Sequence, residues 1–236
     1  MARTKIIKHQ DPEFVVYNED RWSRLKYLRD QAVPILKALA EHQLTGNVFG
    51  SVARGDVSET SDLDIFISEF VPSFKMDLAL RLSNFEIIGK EISMATPSSV
   101  VKGTYYLGND ISISIRLTEF TSSPFQFYIF SGYVNLEEII EEKRVPGVSK
   151  ALLVIEPTKE GHKEYSLLGN EYEARNLLNI EEKMLEERIR VLTKRDKYGR
   201  TGLFLKVNIH PEDSFEDKLQ ELADKNSLIR RRLNFK

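Results

Sequence analysis

The sequence lacks cysteine altogether and contains one tryptophan and four histidines among its 236 residues. Without cysteine, the chain can form neither disulfide bonds nor a thiolate metal site. No apolar run approaches the roughly 20 residues that a membrane-spanning helix requires. The segment from Met1 to Gln10 has no apolar core of the secretory kind. We therefore expect a cytoplasmic protein that does not interact with membranes.

An excess of charge of one sign is also absent, since 34 lysines and arginines nearly balance 36 aspartates and glutamates. The net charge of −2 excludes a molecule that binds polyanions through its overall charge. Any contact with RNA or DNA must therefore come from a local basic patch. The length and the 41% of hydrophobic residues suit one large or two small globular domains, and they specify no oligomeric state.

Periodicity predicts an α+β protein. We expect a domain with a mixed sheet and flanking helices over residues 1–133, and a smaller, mostly helical C-terminal domain over residues 134–236. Residues 20–42 have apolar positions at helical spacing, although Pro34 predicts a kink or two shorter helices there. The elements predicted next are strands at 47–50 and 63–67, a helix at 75–84 and a hairpin around residues 108–110.

Two aspartates, Asp62 and Asp64, lie at the start of the second predicted strand. Side chains two apart on a strand point the same way, so both carboxylates project from one face while Leu63 and Ile65 enter the core. Adjacent carboxylates repel each other unless a cation lies between them, and hard oxygen ligands suit Mg²⁺ or Mn²⁺. A metal ion held in this way can bind the phosphates of a nucleoside triphosphate (NTP). Asp62 and Asp64 are therefore the predicted metal ligands and catalytic residues.

A glycine-serine turn precedes these aspartates by about ten residues, within the sequence Gly50-Ser51-Val52-Ala53-Arg54-Gly55. Gly50 allows the backbone to approach a phosphate closely. The Ser51 hydroxyl and the N–H groups at the start of the next helix can donate to phosphate oxygens. Arg54 adds a positive charge that can offset charge on the leaving group. We therefore predict that Gly50, Ser51 and Arg54 bind the nucleotide.

Taken together, the strings Gly-Ser-x-Ala-Arg-Gly and Ser-Asp-x-Asp resemble the signature of DNA polymerase β-type nucleotidyltransferases, especially the minimal members of that superfamily. The signature covers Val48 to Ile67. The resemblance implies metal-dependent transfer of a nucleoside monophosphate from an NTP to a hydroxyl of RNA, protein or a small molecule. Stretches at residues 144–148, 155–162 and 199–202 resemble a group of archaeal predicted nucleotidyltransferases, which implies no established substrate.

The resemblance also implies a third carboxylate on a neighbouring strand, where active members bind the metal that activates the attacking hydroxyl. The predicted strand at 111–117 presents Ser112, Ser114 and Arg116 on the relevant face, and no acid. A serine is not an anionic ligand, and an arginine repels a second cation. The nearby carboxylates that remain as candidates are Asp110, Glu91 and Glu119.

The C-terminal region contains a cluster of basic residues that is a candidate contact for RNA or DNA. A helix, a turn near Asn179, a second helix and a glycine-containing segment at 199–202 resemble a winged helix-turn-helix. The alternative is a solvated helix face with salt links to nearby glutamates. The residues predicted to contact nucleic acid are Arg188, Arg190, Lys194, Arg195 and Arg200.

Two further features have alternative interpretations. The aromatic-rich segment from Phe120 to Tyr133 predicts a core layer, with a base-stacking platform as the alternative. His162 has no second histidine or cysteine at metal-ligand spacing. A surface or hydrogen-bonded histidine is therefore predicted rather than a metal ligand or a general base.

Three functions are compatible with the sequence. The first is a nucleotidyltransferase that uses an NTP and Mg²⁺ or Mn²⁺. The second, suggested by the missing third acid, is a catalytically impaired nucleotide-sensing module that binds nucleic acid. The third is an antitoxin-like interaction protein, as minimal members of the superfamily can be, although such proteins lack a second region of this size.

Overall fold

The structure, a computed structural model, describes residues 5–118, 125–199 and 202–233. In chain order, its first elements are β1 (Glu13–Val16), α1 (Glu19–Glu41), β2 (Gly46–Phe49), α2 (Ser51–Arg54), β3 (Leu63–Ile67), α3 (Ser73–Leu82), β4 (Ile87–Met94), β5 (Lys102–Leu107) and β6 (Ile111–Arg116). The elements that follow are α4 (Phe125–Ser131), β7 (Tyr133–Val134), α5 (Leu136–Ile140), β8 (Gly147–Val148), β9 (Leu153–Thr158), β10 (Gly161–Ser166), α6 (Glu171–Leu178), α7 (Glu182–Tyr198), β11 (Leu205–Ile209), α8 (Phe215–Lys225) and α9 (Ser227–Leu233). The α+β prediction is confirmed.

The helix boundaries follow from local signals in most places. Helix α6 ends at Leu178, and its C-cap residue Asn179 adopts the left-handed conformation with φ 50°, so the predicted break before α7 is present. Helix α1 is continuous and contains Pro34, so the prediction of two shorter helices is wrong there. The buried apolar residues of α1 compensate for the backbone hydrogen bond that proline removes.

None of the described helices combines the length and apolarity that a bilayer span requires.

The chain forms two compact units whose segments alternate along the sequence. Unit 1 comprises Met1–Val33, Val48–Ser61 and Ser123–Thr201, and unit 2 comprises Pro34–Asn47, Asp62–Ser122 and Gly202–Lys236. The predicted boundary after residue 133 does not coincide with this division. The physical reason is β11, which comes late in the chain but pairs antiparallel with β4 and so satisfies the backbone of that strand.

Unit 1 contains a four-stranded antiparallel sheet in the order β1-β10-β9-β8. Its apolar cluster joins residues of this sheet, such as Val154, to α4, α6 and α7 through Phe130, Ala174 and Leu185. Helices α6 and α7 are the two helices expected for a winged helix-turn-helix. That arrangement is not confirmed, because the strand that follows them, β11, belongs to unit 2 and residues 200–201 of the predicted wing lie outside the described residues.

Unit 2 contains the hydrogen-bonded strands β11-β4-β5-β6-β3, in that order. Strands β3 and β6 are parallel and the other pairs are antiparallel, so the sheet is mixed, as predicted. One face carries Ile65, Tyr105 and Ile113, all completely buried. Gly46 belongs to this core, since a Cβ atom there would lie 2.7 Å from Leu36 Cδ2. The opposite face carries polar residues such as Asp64, Ser112 and Ser114, together with the buried Phe66.

Glu216 at the start of α8 anchors the start of α3 in the same unit. Its two carboxylate oxygens accept hydrogen bonds from the Ser73 N–H at 2.9 Å and from the Ser73 hydroxyl at 2.5 Å. Burial raises the pKa of the Glu216 carboxyl, but these bonds and one from Ser214 outweigh it, so the pKa lies below its usual value. Folding therefore favours the charged form of Glu216.

We expect the Glu216→Gln variant to lose stability in a pH-dependent way. Because the folded-state pKa lies below the unfolded one, the contribution is present above the ordinary glutamate pKa of about 4.3 and is lost as pH falls through the folded-state pKa. Partial exposure limits it to about 1 kcal/mol at pH 7. Urea unfolding at pH 7, 5, 4 and 3 measures the difference between wild type and variant. A difference that stays constant down to pH 3 would contradict the assignment, and Glu59→Gln, an exposed acid, is the control.

Candidate active site

The predicted metal ligands lie at the start of β3 in unit 2. Leu63 and Ile65 are completely buried, whereas Asp62 and Asp64 are half-buried. This alternation is the period-two pattern of a strand with one face in a core. The Leu63 N–H donates to the carbonyl oxygen of Asp110 at 3.2 Å, which ties the start of β3 to the turn before β6. Asp64 consequently lies on the polar face of the sheet.

Ser112 lies directly opposite Asp64 on the neighbouring strand β6. Its hydroxyl donates a hydrogen bond of 2.6 Å to Asp64 Oδ1. This is the strand on which the third carboxylate was expected. A hydroxyl in this position fixes the Asp64 side chain without adding negative charge. Strand β6 therefore positions Asp64 and contributes no carboxylate of its own.

Glu91, one candidate for the third carboxylate, is bound to other partners on β4. The Tyr106 hydroxyl donates to Glu91 Oε2 at 3.0 Å, and Lys206 Nζ lies 3.2 Å from the same oxygen. Burial, and then the charge of Glu91, raise the pKa of Tyr106 to about 12, so its hydroxyl remains a donor. Strands β5 and β6 lie between β4 and β3. Three steps of about 4.8 Å place the two backbones roughly 14 Å apart, too far for Glu91 to share an ion with Asp64.

Asp110, another candidate for the third carboxylate, is hydrogen-bonded through its backbone to the start of β3. It has φ 57° and immediately precedes β6, and its carbonyl oxygen accepts the Leu63 N–H. Glu119, the remaining candidate, lies outside the described residues. Within residues 5–118, 125–199 and 202–233, no three histidine, cysteine, aspartate or glutamate side chains come together as a metal site. The acidic residues at the start of β3 are thus Asp62 and Asp64. Asp110 lies beside them and contacts the strand through its backbone carbonyl oxygen.

The predicted phosphate-binding turn lies between β2 and α2. Gly50 has φ 81° and ψ −143°, a conformation essentially restricted to glycine. Its N–H donates to the carbonyl oxygen of Gly132 at 2.9 Å, and its own carbonyl accepts from Ala53 and Arg54. A Cβ atom added to Gly50 would meet nothing within 4 Å. The conformation of the turn therefore requires glycine, and its backbone is open to the approach of a ligand.

The Ser51 hydroxyl is held by the loop that leads to Asp62 in the sequence. Ser51 Oγ donates to Ser61 Oγ at 3.3 Å, and the Ser58 N–H donates to the same Ser61 oxygen at 2.9 Å. Arg24 on α1 donates from Nη2 to the Ser61 carbonyl oxygen at 2.9 Å. Sequence reasoning missed Arg24, because it lies 37 residues before Ser61 and no local motif connects the two.

Comparison with known protein families gives a match to the segment that contains this turn and β3. Residues 29–96 match the model of a family described as nucleotidyltransferase domain. Over these residues the chain is similar to a nucleotidyltransferase domain. The match includes Gly50, Ser51, Asp62 and Asp64 and ends before β5, and it agrees with the polymerase β-type resemblance. Neither the curated proteins nor the solved structures give a match to the chain.

Arg54 lies within the nucleotidyltransferase domain, but its guanidinium is already engaged. Nε and Nη2 bond the two Asp56 carboxylate oxygens at 2.9 Å each. Nη1 donates to the carbonyl oxygens of Ser131 at 2.6 Å and Val148 at 3.4 Å. The residue is 5% exposed. In unit 1 the Arg54 side chain thus joins α2 to α4 and β8. These contacts favour a structural role, and its binding of the nucleotide stays a prediction.

Arg188, predicted to contact nucleic acid, is largely buried beside aromatic rings. Its guanidinium carbon lies 4.8 Å from the centre of the Phe127 ring and 5.8 Å from that of Phe130. Burial, and then the charge of Arg195, lower the pKa of Arg188 to about 10. This contact favours a packing role for Arg188, and its contact with nucleic acid stays a prediction. Of the other predicted residues, Arg190, Lys194 and Arg195 are exposed on α7, and Arg200 lies outside the described residues.

The aromatic segment that follows the nucleotidyltransferase domain is a packing layer in its described part, residues 125–133. Phe130 is 2% exposed within the apolar cluster of unit 1. Phe127 and Tyr128 pack edge-to-face against Phe49, with ring centres 6.1 and 5.0 Å away. These contacts favour the core interpretation over a base-stacking platform. Phe120 lies outside the described residues.

His162 is a buried hydrogen-bonded histidine, one of the two alternatives predicted for it. Its Nδ1 lies 2.7 Å from the Tyr17 hydroxyl, and its Nε2 lies 3.0 Å from Glu164 Oε2. Burial, and then the charge of Asp56, raise the pKa of Tyr17 to about 12. Both ring nitrogens of His162 therefore have partners, and the contact with Tyr17 joins the residue that follows β1 to β10.

Proposed function

We propose that the chain transfers a nucleoside monophosphate from an NTP to a hydroxyl acceptor, with Mg²⁺ or Mn²⁺ bound by Asp62 and Asp64. The observation that carries this proposal is the half-buried Asp64 on β3, which lies within the matched residues 29–96. The Ser112 hydroxyl on β6 holds its carboxylate. The donor set fits these ions, because both prefer carboxylate oxygens and an ion held by one or two carboxylates keeps positions for phosphate. When bound, the metal would stabilise charge on the transferring phosphate.

In the proposed reaction, the acceptor oxygen attacks the α-phosphorus of the NTP. A bond forms between these two atoms, the bond from the α-phosphorus to its bridging oxygen breaks, and pyrophosphate leaves with the electron pair. The hydroxyl proton passes to solvent. We assign the phosphates to the open space beside the Gly50 Cα and to the Ser51 hydroxyl, whose orientation by Ser61 reduces the entropic cost of binding.

The positive charge in this proposal comes from Arg24 rather than Arg54. The Arg54 guanidinium donates four of its five N–H groups to Asp56 and two carbonyl oxygens. Arg24 reaches the carbonyl oxygen of Ser61, the residue directly before Asp62 in the chain. A guanidinium beside this loop favours the binding of an anion such as a nucleotide.

Ser112 also supports a second candidate function, a module that binds a nucleotide without transferring it. In this alternative, Asp62 and Asp64 hold a single metal–nucleotide complex, and a serine in place of a third acid leaves the attacking hydroxyl without an activating ion. The two candidates share the nucleotide site and differ in whether a covalent product forms. The C-terminal region would provide the contact with RNA or DNA.

The test is a transfer assay with each of the four NTPs labelled at the α-phosphate. The protein is incubated with Mg²⁺ or Mn²⁺, total RNA and a protein extract, and γ-labelled NTPs provide the control. Label on an acceptor from the α-phosphate but not from the γ-phosphate supports nucleotidyl transfer and identifies the acceptor as RNA, protein or a small molecule. Metal-dependent NTP binding with no labelled product rejects transfer and favours the nucleotide-sensing module.

We expect Asp110→Asn to reduce activity more than Glu91→Gln. Asp110 adjoins the start of β3, so a loss of its charge should lower transfer or Mn²⁺ affinity by roughly tenfold or more, as for residues around metal ligands. Asparagine tolerates the φ of 57°, so the fold is retained. Glu91→Gln should change either quantity by less than about threefold, because glutamine still accepts from Tyr106. Initial rates and Mn²⁺ titration measure both, and the reverse order of effects would exclude Asp110.

A further inference from the structure

One face of α7 forms a groove that none of the proposed chemistry uses. The α7 groove, as we name it, has a volume of about 680 Å³ and is lined along the helix by residues three and four apart. Leu185, which is buried, and Ile189, which is partly buried, form its apolar floor. Tyr198, 66% exposed, closes one end. An open apolar floor between charged rims is typical of a surface that binds another protein.

The charges along the α7 groove are separated by sign. Glu182 and Glu186 line its half near the start of α7, and Glu171 of α6 lies at the same end. Arg190, Lys194 and Lys197 line the half near the helix C-terminus. A helix dipole alone favours this order of charges. The additional feature is the apolar surface that Ile189 and Tyr198 leave exposed along the groove, because burying this surface against a partner is favourable.

We propose that the α7 groove is the interface of a homodimer in which the α7 helices of two copies pack antiparallel. A two-fold axis near Arg190 places the acidic half of each groove opposite the basic half of the other, with Glu186 facing Lys194 of the second copy. Ile189, which is partly buried and adjacent to the axis, then packs against the groove of the second copy. Glu186 and Lys194 have no ion-pair partner within the described part of the chain, so both are available for this contact.

A second copy fits this groove better than a nucleic acid does. A phosphate backbone that followed α7 would meet Glu182 and Glu186 after it had passed the basic half, and like charges repel. Arg188 does not add to the basic half, because its guanidinium packs against Phe127. A self-complementary groove instead satisfies both halves at once, which is the condition for a two-fold interface.

The test uses sedimentation velocity of the full chain over a range of micromolar concentrations. We expect a concentration-dependent dimer that weakens as salt rises from about 0.1 M to about 1 M, where the Debye length falls from about 10 to 3 Å. Glu186→Lys and Lys194→Glu should each weaken dimerisation by at least roughly tenfold, because each places like charges opposite each other. The matched control is Glu173→Lys, which changes an exposed acid of α6 outside the groove and should leave the dimer intact.

Mixing the two groove variants provides the decisive step. An equimolar mixture of Glu186→Lys and Lys194→Glu chains should form a heterodimer, because each contact between positions 186 and 194 then again joins one acidic and one basic side chain. Both positions are exposed, so thermal unfolding should show that each variant folds. A chain that stays monomeric, a dimer that neither groove variant weakens, or a mixture that does not associate would each overturn the proposal. Binding of labelled RNA by a monomer, lost in Lys194→Glu, would assign the basic half to nucleic acid instead.

Discussion

In the Asp64→Asn variant we expect nucleotidyl transfer to fall by roughly a thousandfold or more, a loss of about 4 kcal/mol of transition-state stabilisation. The change removes one negative charge from the proposed metal site and keeps nearly the same shape. The asparagine oxygen can still accept the hydrogen bond from Ser112, so the local structure of β3 and β6 should remain. Single-turnover assays with the α-labelled NTP and the acceptor from the transfer assay measure the loss.

Two controls separate a lost ligand from a lost fold. Asp30→Asn makes the same chemical change on α1, where the carboxylate is 59% exposed and contacts Lys26, and it should leave the rate unchanged. The melting temperature of Asp64→Asn should lie within a few degrees of that of the wild type. If Asp64→Asn retained more than about a tenth of the wild-type rate, the β3 carboxylate would not be part of the catalytic site.

The second large effect concerns stability, and it follows from the contacts that Arg54 makes within unit 1. We expect Arg54→Ala to lower the free energy of unfolding by about 3–5 kcal/mol, as when one partner of a buried ion pair is removed. The side chains of Arg54 and Asp56 are only 6% and 13% exposed, so alanine would leave the Asp56 charge uncompensated. It would also leave the carbonyl oxygens of Ser131 and Val148 without this donor. Urea unfolding measures the change.

A double-mutant cycle distinguishes this ion pair from simple loss of packing. Arg54→Ala with Asp56→Ala should be more stable than the sum of the single changes predicts, because the double variant contains no buried unpaired charge. Additive effects would show that the pair does not interact energetically. A change in NTP affinity without a loss of stability in Arg54→Ala would restore the nucleotide-binding role that the sequence suggested.

The nucleotidyltransferase motif was readable from sequence because both of its parts depend on local rules. The spacing of Asp62 and Asp64 determines a common face on any strand, and the flanking Leu63 and Ile65 indicate which face is buried. A glycine before a serine at the end of a strand predicts an unusual turn, and Gly50 has the positive φ that such a turn requires. Neither conclusion needs knowledge of distant residues.

Features that depend on pairing across long stretches of sequence were not predictable in this way. Strand β1 pairs with β10, so Phe14 lies opposite Lys163, and no local pattern connects two segments so far apart. The same holds for β11, which follows the segment predicted as a wing and pairs with the distant strand β4. For Arg54, the motif indicated that a cation was present, but the direction of its side chain depends on Ser131 and Val148, far along the chain.

The central claim, that Asp62 and Asp64 hold a metal–nucleotide complex, is tested most directly by Mn²⁺ binding followed by electron paramagnetic resonance. The titration uses an NTP analogue with a methylene bridge between the α- and β-phosphates, so that no transfer can occur. We predict that the wild-type chain binds Mn²⁺ together with the analogue, and that Asp64→Asn weakens this binding at least roughly tenfold while Asp30→Asn leaves it unchanged. Equal Mn²⁺ binding by the wild type and Asp64→Asn would contradict the assignment of the metal site to β3.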